Sequence, residues 1–431
     1  MSASDLVSSY DFVFNYLQPQ GDEIDGSYPY LLITTTSTIP GQVSVNVPGL
    51  GFHQTNWISN QALLNITLPT SVYLFGHQNQ QNKSIIVRSE VPISVHAMYV
   101  YASYRTTGFS VLPTTLLGQE YFVSSFEPHD SEQSEFSIAA LDVQTQVTID
   151  TRNTPSGGLQ TQQLTLEPYQ SWQFISTNDL TGARIRASRP VCVMSGATGV
   201  RLEATTGGPE YLIQNLLPVK NLGTRYVLSP FVGRTSGFIY RLIATEDNTV
   251  LNFPRDSSTV TLEVAGRDIH QGSSDEVVVV ISNKPILVAQ FAKSHHSDSL
   301  GDTFMLIIPP ITSRDMGDIT FPVTYLSTSS EQQSYVSVTV PCEHVDELIL
   351  DDQATNWVDN RLEVDIESTL YCVVRQPVSP GVHKLSVSSQ GKFPYDAFVY
   401  GFGKYVAYAL SLWRDQERDT KSITASSSKG K

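Results

Sequence analysis

The sequence predicts an all-β protein of four tandem sandwich-like units, each about 100 residues, the size of a small β domain. Three observations carry that prediction. One strand type recurs as Tyr10–Tyr16, Glu120–Phe126, Arg225–Phe231 and Ile319–Tyr325. The final aromatics step by 110 residues (Tyr16 to Phe126), 105 (to Phe231) and 94 (to Tyr325). That period is too long for a solenoid repeat and long enough for each unit to bury its own core. Local patterning agrees: apolar and polar residues alternate with period two, β-branched and aromatic residues dominate, and Gly, Pro, Asn and Asp punctuate. No stretch sustains a 3.6-residue apolar period. The predicted units span residues 9–118, 119–223, 224–317 and 318–413, and 414–431, polar and poor in apolar residues, reads as a disordered tail or linker.

After the opening strand, Tyr30–Thr36 leads to Val43–Val47 as a second strand pair. Its counterparts are Phe136–Ala140 with Val147–Ile149, Arg241–Thr245 with Val250–Phe253, and Tyr335–Val340 with Leu348–Leu350. A third piece is a strand, a polar turn ending in proline, and another strand: Ile85–Val95 around Pro92, Ile185–Val193 around Pro190, Val279–Val288 around Pro285. Proline lacks an N–H, so these positions suit the start of a strand or an edge. A fourth piece closes three units: Val111-Leu112-Pro113 to Gly118, Leu217-Pro218 to Gly223, and Ile308-Pro309 to Gly317. The closure runs straight into the next opening strand, which predicts rigid packing between units. The first strand could complete the last unit and close a pseudo-symmetric ring, or the units could form a rod.

Composition excludes several function classes. The chain has 431 residues, 40% apolar and only 16% charged, with a formal net charge of −15. No block of Lys or Arg offsets that charge, so phosphate backbones and anionic lipid are repelled and nucleic acid is excluded as a main partner. No apolar run approaches the roughly 18 residues of a membrane-spanning helix, so membrane insertion is not expected. Met1–Asp5 shows no basic region followed by an apolar stretch, so no signal peptide is visible there. The alternatives are a cytosolic chain or a segment of a secreted precursor.

Candidate sites are few. Cys342 and Cys372 fall in one unit on segments expected to be neighbouring strands, and could be bridged in an oxidising compartment. Cys192, in Pro190-Val191-Cys192-Val193-Met194, reads as a buried free thiol. No pair has the CxxC spacing of a zinc or redox site. Asn65-Ile66-Thr67 and Asn82-Lys83-Ser84 are N-glycosylation sequons, a number that chance alone supplies in a chain this rich in Ser and Thr. Of the two, Asn82 has the more loop-like surroundings.

Catalytic patterns are absent: there is no Gly-x-Ser-x-Gly, no glycine-rich phosphate loop and no His-Glu-x-x-His. The densest polar cluster is Lys293–Asp302, with His295, His296, Asp298 and Asp302. Adjacent histidines point to opposite faces of an extended segment, so a solvated loop is expected there in preference to a metal site or a cryptic hydrolase. Asp351-Asp352 and Glu246-Asp247-Asn248 lie between paired strands, where Asp and Asn serve turn geometry more simply than calcium binding. Tyr99, Tyr101 and Tyr104, and Tyr400, Tyr405 and Tyr408, could contact a ligand, but shared strand faces favour packing. No catalytic, cofactor or metal residues are assigned.

The Pro-Ile/Val-x-Val strand, the Leu-Pro…Leu-Gly-x-x-Tyr-Phe-Val unit and the ending Ala397–Gly403 with Tyr408 resemble the IgGFc-binding protein N-terminal domain family. Leu348–Asp352, Pro380–Leu385 and Tyr400–Gly403 are similar to that family's closing module, and the likeness runs from about Ser9 to Trp413. The resemblance implies a secreted, non-enzymatic module that needs no cofactor, binding a protein or glycan in mucus, matrix or at a cell surface. Immunoglobulin Fc is the namesake ligand. The alternative is a cohesive matrix component that self-associates without a specific foreign ligand.

Overall fold

A computed structural model describes residues 10–21, 26–102, 105–152, 158–203, 208–295, 300–311, 317–325, 332–354, 357, 361–388 and 393–413. It is all-β, and every ladder between its strands is antiparallel. The expected all-β class is therefore found.

The first strands form two four-stranded sheets. One has the order Tyr10–Phe14, Ile85–Ser89, Gly41–Val47, Phe52–Ile58; the other has Leu63–Thr67, Ser27–Thr35, Ile93–Tyr101, Arg105–Ser110. Gly41–Val47 alternates strictly, with Val43, Val45 and Val47 buried and Gln42, Ser44 and Asn46 turned outward. Its apolar face meets Leu31, Ile33, Val95 and Ala97 of the facing sheet in a common core. The strands read from sequence as a consecutive pair, Ser27–Thr35 and Gly41–Val47, thus lie in different sheets.

Further along, the two sheets merge through one long strand. Arg184–Val200 pairs through its first half with Gly118–Phe122 and Thr145–Thr151, and through its second half with Ser134–Ala140 and Glu210–Asn215. Val278–Ala292 does the same with Gly223–Leu228, Thr249–Phe253, Phe238–Ala244 and Met305–Ile307. Pro190 and Pro285 sit where these strands leave one set of partners for the other. The sequence divides each into two strands at the proline, whereas the chain runs on as one. The missing proline N–H falls at the corner, where no ladder bond is required. In the last part, Ile319–Val323, Gly381–Val387, Leu348–Leu350 and Gln353–Ala354 form one sheet, and Leu362–Ile366, Thr369–Pro377, Gln333–Pro341, Asp396–Gly403 and Val406–Ser411 the other.

The Gly-x-x-Tyr pattern has a physical basis. Each opening strand carries a register shift, between Gly118 and Glu120 and between Gly223 and Arg225. The tyrosine three residues after the glycine spans that break. Gly118 N–H donates to the Tyr121 hydroxyl at 2.8 Å, which donates to Val191 O at 2.7 Å. Gly223 N–H donates to the Tyr226 hydroxyl at 3.0 Å, which donates to Ile286 O at 2.5 Å. Both acceptors follow the corner proline directly. Both tyrosines are fully buried, and burial pushes their phenols above the usual range.

Successive sheets are joined tightly. Asn79–Gln81 adds itself to the next sheet beside Ser171–Gln173. Gly182 and Gly266 approach so closely, both with positive φ (86° and 68°), that a Cβ on either would overlap the other's carbonyl. Arg241, 7% exposed, donates to Ser125 O at 2.8 Å, Asp179 Oδ2 at 2.6 Å, Thr181 Oγ1 at 2.8 Å and Gln271 Oε1 at 2.8 Å, and lies 3.9 Å over the Phe126 ring.

Tyr121→Phe should destabilise by about 1–3 kcal/mol, because it strands a buried amide and a buried carbonyl while leaving the ring packing intact. Denaturant midpoints measure this, with the exposed Tyr28→Phe as a control that should not move.

Candidate functional site

Four strands that end the successive sheets come together along one line. Gln214 of Glu210–Asn215 donates to Gly108 O at 3.2 Å and to Met305 O at 2.6 Å. Ser411 donates to Ile307 O at 3.0 Å. A Cβ on Gly108 would lie 3.1 Å from Leu410, which brings Arg105–Ser110 against Val406–Ser411. The first residues of two of these strands, Arg105 and Glu210, meet at one end.

That gathering holds a buried ionisable cluster. Glu210 and Asp302 are 6% and 7% exposed, and Asp302 hydrogen-bonds to the Glu210 carboxyl. Arg105 Nε lies 3.6 Å from Glu210 Oε1. Thr303 N–H donates to Asp302 Oδ1 at 2.8 Å, and His295 N–H donates to the same oxygen at 3.4 Å. Arg234 donates to Lys293 O at 2.6 Å and Asp302 O at 3.4 Å, with its guanidinium 5.1 Å over Phe402. Lys293 Nζ pairs with Glu203 Oε2 at 2.6 Å, His295 Nδ1 meets Gly301 O at 3.0 Å, and the His295 ring packs on Tyr405 at 4.2 Å.

Burial raises the Glu210 pKa well above the usual range, and the neighbouring Asp302 charge adds to this while Arg105 opposes it. Burial likewise lifts Asp302 to about 6, against the pull of the Thr303 and His295 amides and of Arg234 and Arg105. Two carboxyls this close hold one proton between them in preference to ionising together. Both are buried, and the cluster ties together chain segments that are far apart in sequence.

The solvated-loop expectation for Lys293–Asp302 is corrected: Lys293, Ser294, His295 and Asp302 are all buried, because distant segments pack on them, Glu203 and Arg234 on Lys293, Leu202 on Ser294, Tyr405 on His295 and Glu210 on Asp302. His296 and Asp298 lie outside the described residues. Nothing in that segment marked Arg105, Glu210 or Arg234 as partners. Their only sequence signal is that Arg105 and Glu210 occupy the same place, at the start of a closing strand.

The other candidates are accounted for individually. Cys342 and Cys372 form a disulfide with Cα atoms 4.9 Å apart, joining Thr369–Pro377 to the turn after Gln333–Pro341. Among the described residues the one three-ligand cluster is Cys342, Glu363 and Cys372, whose sulfurs are already bonded to each other. Cys192 is free and buried, its thiol pushed up to about 12 by burial. Asn65 is exposed on the edge strand Leu63–Thr67, and Asn82 is exposed while Ser84 of its sequon is buried against Ser171 Oγ at 2.8 Å. Asp351 and Asp352 take positive φ, 55° and 59°, in a hairpin turn, and Asp351 accepts from Lys384 N–H at 2.9 Å. Asn248 likewise has φ 55°, and Asp247 accepts from Ala265 N–H at 2.9 Å. Tyr99, Tyr400 and Tyr408 are core residues, whereas Tyr405 is 41% exposed; Tyr104 lies outside the described residues. The most exposed aromatics are others: Tyr325 (80%), Trp57 (65%) and Tyr28 (59%).

Residues 107–401 match the sequence model of the family described as IgGFc binding protein. The chain belongs to that family. It is a binding-protein family and not a known enzyme family. The human IgGFc-binding protein is 25% identical over 270 residues, covering 60% of this chain and 5% of that protein. The chain thus spans a small fraction of the relative it matches. Among solved structures, trypsin-activated alpha-2-macroglobulin from Escherichia coli aligns at 9% identity and a TM-score of 0.13, covering 94% of this chain and 41% of that one. That likeness is too low to carry an argument. No helix among the described residues is long and apolar enough to cross a membrane.

The acid pair sets a pH dependence. A carboxyl whose folded pKa is raised favours folding in its protonated form, so its contribution is fully present below the unfolded value and is lost as pH rises through the folded one. With Asp302 moving from 3.8 to about 6, stability should fall by about 2 kcal/mol between pH 4 and 7 on this account. Asp302→Asn should flatten that slope in thermal melts across this window.

Proposed function

We propose that this chain is a rigid, non-enzymatic extracellular binding module that contacts a protein or glycan ligand through exposed strand faces. The observation that carries the reading is membership of the IgGFc binding protein family over residues 107–401. The human relative's name makes immunoglobulin Fc the first ligand to try. Inward-turned charge and outward-turned aromatics support recognition by surface contact, in which a few anchors dominate the energy.

The units proposed are residues 9–118, 119–223, 224–317 and 318–413, closed into a pseudo-symmetric ring. Contacts between the two ends of the chain support closure. Thr34 Oγ1 donates to Thr320 O at 3.1 Å, Tyr30 and Thr324 hydroxyls meet at 3.2 Å, and Leu32 and Met98 share a core with Phe321 and Leu410. The Cys342–Cys372 bridge fits an oxidising compartment, and exposed Asn65 and Asn82 are available to carry N-linked glycan there.

Two measurements test this. A closed ring should scatter with a radius of gyration of about 22 Å, the compact value for this length, and a rod should give a far larger one. Surface plasmon resonance on immobilised IgG Fc, with Fab and a mucin-glycan panel in parallel, should give saturable, cofactor-independent binding to Fc or glycan. Silence on both, with concentration-dependent assembly of the chain itself, would replace the binding reading with a cohesive matrix role.

A further inference from the structure

The outer face of the first sheet is built unlike the rest of the surface. Phe52–Ile58 is an edge strand paired on one side only, with Gly41–Val47. The register sets Trp57 opposite Gln42, Thr55 opposite Ser44 and His53 opposite Asn46. Alternation turns all six side chains to one face while Val43, Val45 and Val47 fill the core behind them. The row is braced internally: His53 Nδ1 hydrogen-bonds to Asn46 Oδ1, and Thr55 Oγ1 meets His53 Nε2 at 3.2 Å. Arg88 on the neighbouring strand, which lies beside Asp11 at 3.6 Å and donates to the Tyr169 hydroxyl at 2.8 Å, borders the face on its inner side.

We infer that this face is a carbohydrate-binding platform for a neutral oligosaccharide. The inference deepens the binding-module reading and rests on it. In a chain of net charge −15, none of the six outward residues is Asp, Glu, Lys or Arg. Of the charged residues bordering them, Arg88, in register with Ser44, is offset by Asp11 at 3.6 Å, and Glu90 accepts from the Gln42 N–H at 2.8 Å. A neutral, hydroxyl-rich ligand meets no repulsion there, whereas a phosphate or sulfate group meets the Glu90 carboxylate beside Gln42 and finds Arg88 already paired with Asp11. The geometry agrees. Trp57, 65% exposed at the open edge, offers a flat ring to the C–H face of a sugar. Amide and hydroxyl groups then follow at strand spacing, roughly 7 Å per outward step, to hydrogen-bond successive hydroxyls. The platform is preformed, because strand pairing fixes its backbone and the His53–Asn46–Thr55 contacts fix its side chains. A protein-binding hot spot would instead place its aromatic anchor centrally in a desolvated patch, whereas Trp57 stands at the margin of a polar one.

The test uses the full chain on an array of neutral and sialylated oligosaccharides. Binding to neutral members is expected, weakened on the order of tenfold or more in Trp57→Ala with an unchanged melting temperature, and partly kept in Trp57→Phe. Of the four tryptophans Trp172 and Trp357 are buried and Trp413 is half-buried, so the strongest acrylamide quenching of the wild type comes from Trp57, 65% exposed, and a bound array sugar should protect that component. That readout does not depend on a variant folding. Array silence, or unchanged affinity in Trp57→Ala without protection from quenching, overturns the platform. Fc binding retained in Trp57→Ala alongside array silence removes the platform alone and leaves the binding-module reading standing. Fc binding lost in Trp57→Ala assigns this face to a protein ligand and likewise overturns the carbohydrate assignment.

Discussion

The constraint on which the rest of the structure depends is that one strand must serve two sheets. Arg184–Val200 and Val278–Ala292 each supply ladder partners to four other strands, so a break in either would orphan backbone groups in both sheets at once. A strand can change partners only where it needs no ladder bond of its own. Pro190 and Pro285 supply that point by removing the donor. The corner in turn leaves the next carbonyl, Val191 or Ile286, without a regular partner, and the Tyr121 and Tyr226 hydroxyls take it up. Proline, bulge glycine and buried tyrosine are therefore one device distributed over some 70 residues of sequence separation.

The same economy holds the sheets to one another. Arg241 makes four hydrogen bonds and a ring contact in a nearly dry setting, which is the condition under which a buried guanidinium is stabilising and not a liability. Glu210 and Asp302 are the opposite case. Two acids are buried together with two arginines nearby, and the resolution is to retain a proton. Gln214 reaches carbonyls on two different strands, so the line where the four closing strands meet is hydrogen-bonded as well as packed. These contacts leave little freedom between successive sheets, and the Gly182–Gly266 approach leaves no space to fill.

How much of this was legible in the sequence depends on the range of the interaction. Strand identity is a local property, and the alternation in Gly41–Val47 reads directly as one buried face. The Gly-x-x-Tyr pattern was visible as a repeat, but its purpose depends on Val191, 70 residues away. The burial of Lys293, Ser294, His295 and Asp302 was not legible because local polarity carries no information about what packs on it; Glu203, Leu202, Tyr405 and Glu210 do so from segments far away in sequence. Tyr99, Tyr400 and Tyr408 resolved as packing while Tyr405 is 41% exposed, and the greatest exposure among the described aromatics went to Trp57, Tyr28 and Tyr325. Trp57 had a readable signal: in His53-x-Thr55-x-Trp57 a large aromatic continues a polar phase that should face water.

That misplaced aromatic bears on what kind of protein this is. Charged residues make up only 16% of the chain, and Arg241, Arg234, Glu210 and Asp302 spend theirs inside, between sheets. Glu210 and Asp302, whose pKa values burial raises, are inside, and Tyr121 and Tyr226, raised likewise, are core residues. What faces water along Gly41–Val47 and Phe52–Ile58 is a hydrogen-bonding row ending in an indole. Rigidity gained inside lowers the entropy cost of binding outside, because a preformed platform has little left to order when a ligand arrives. The buried polar network and the exposed polar face are in this sense two halves of one arrangement: the first fixes the second.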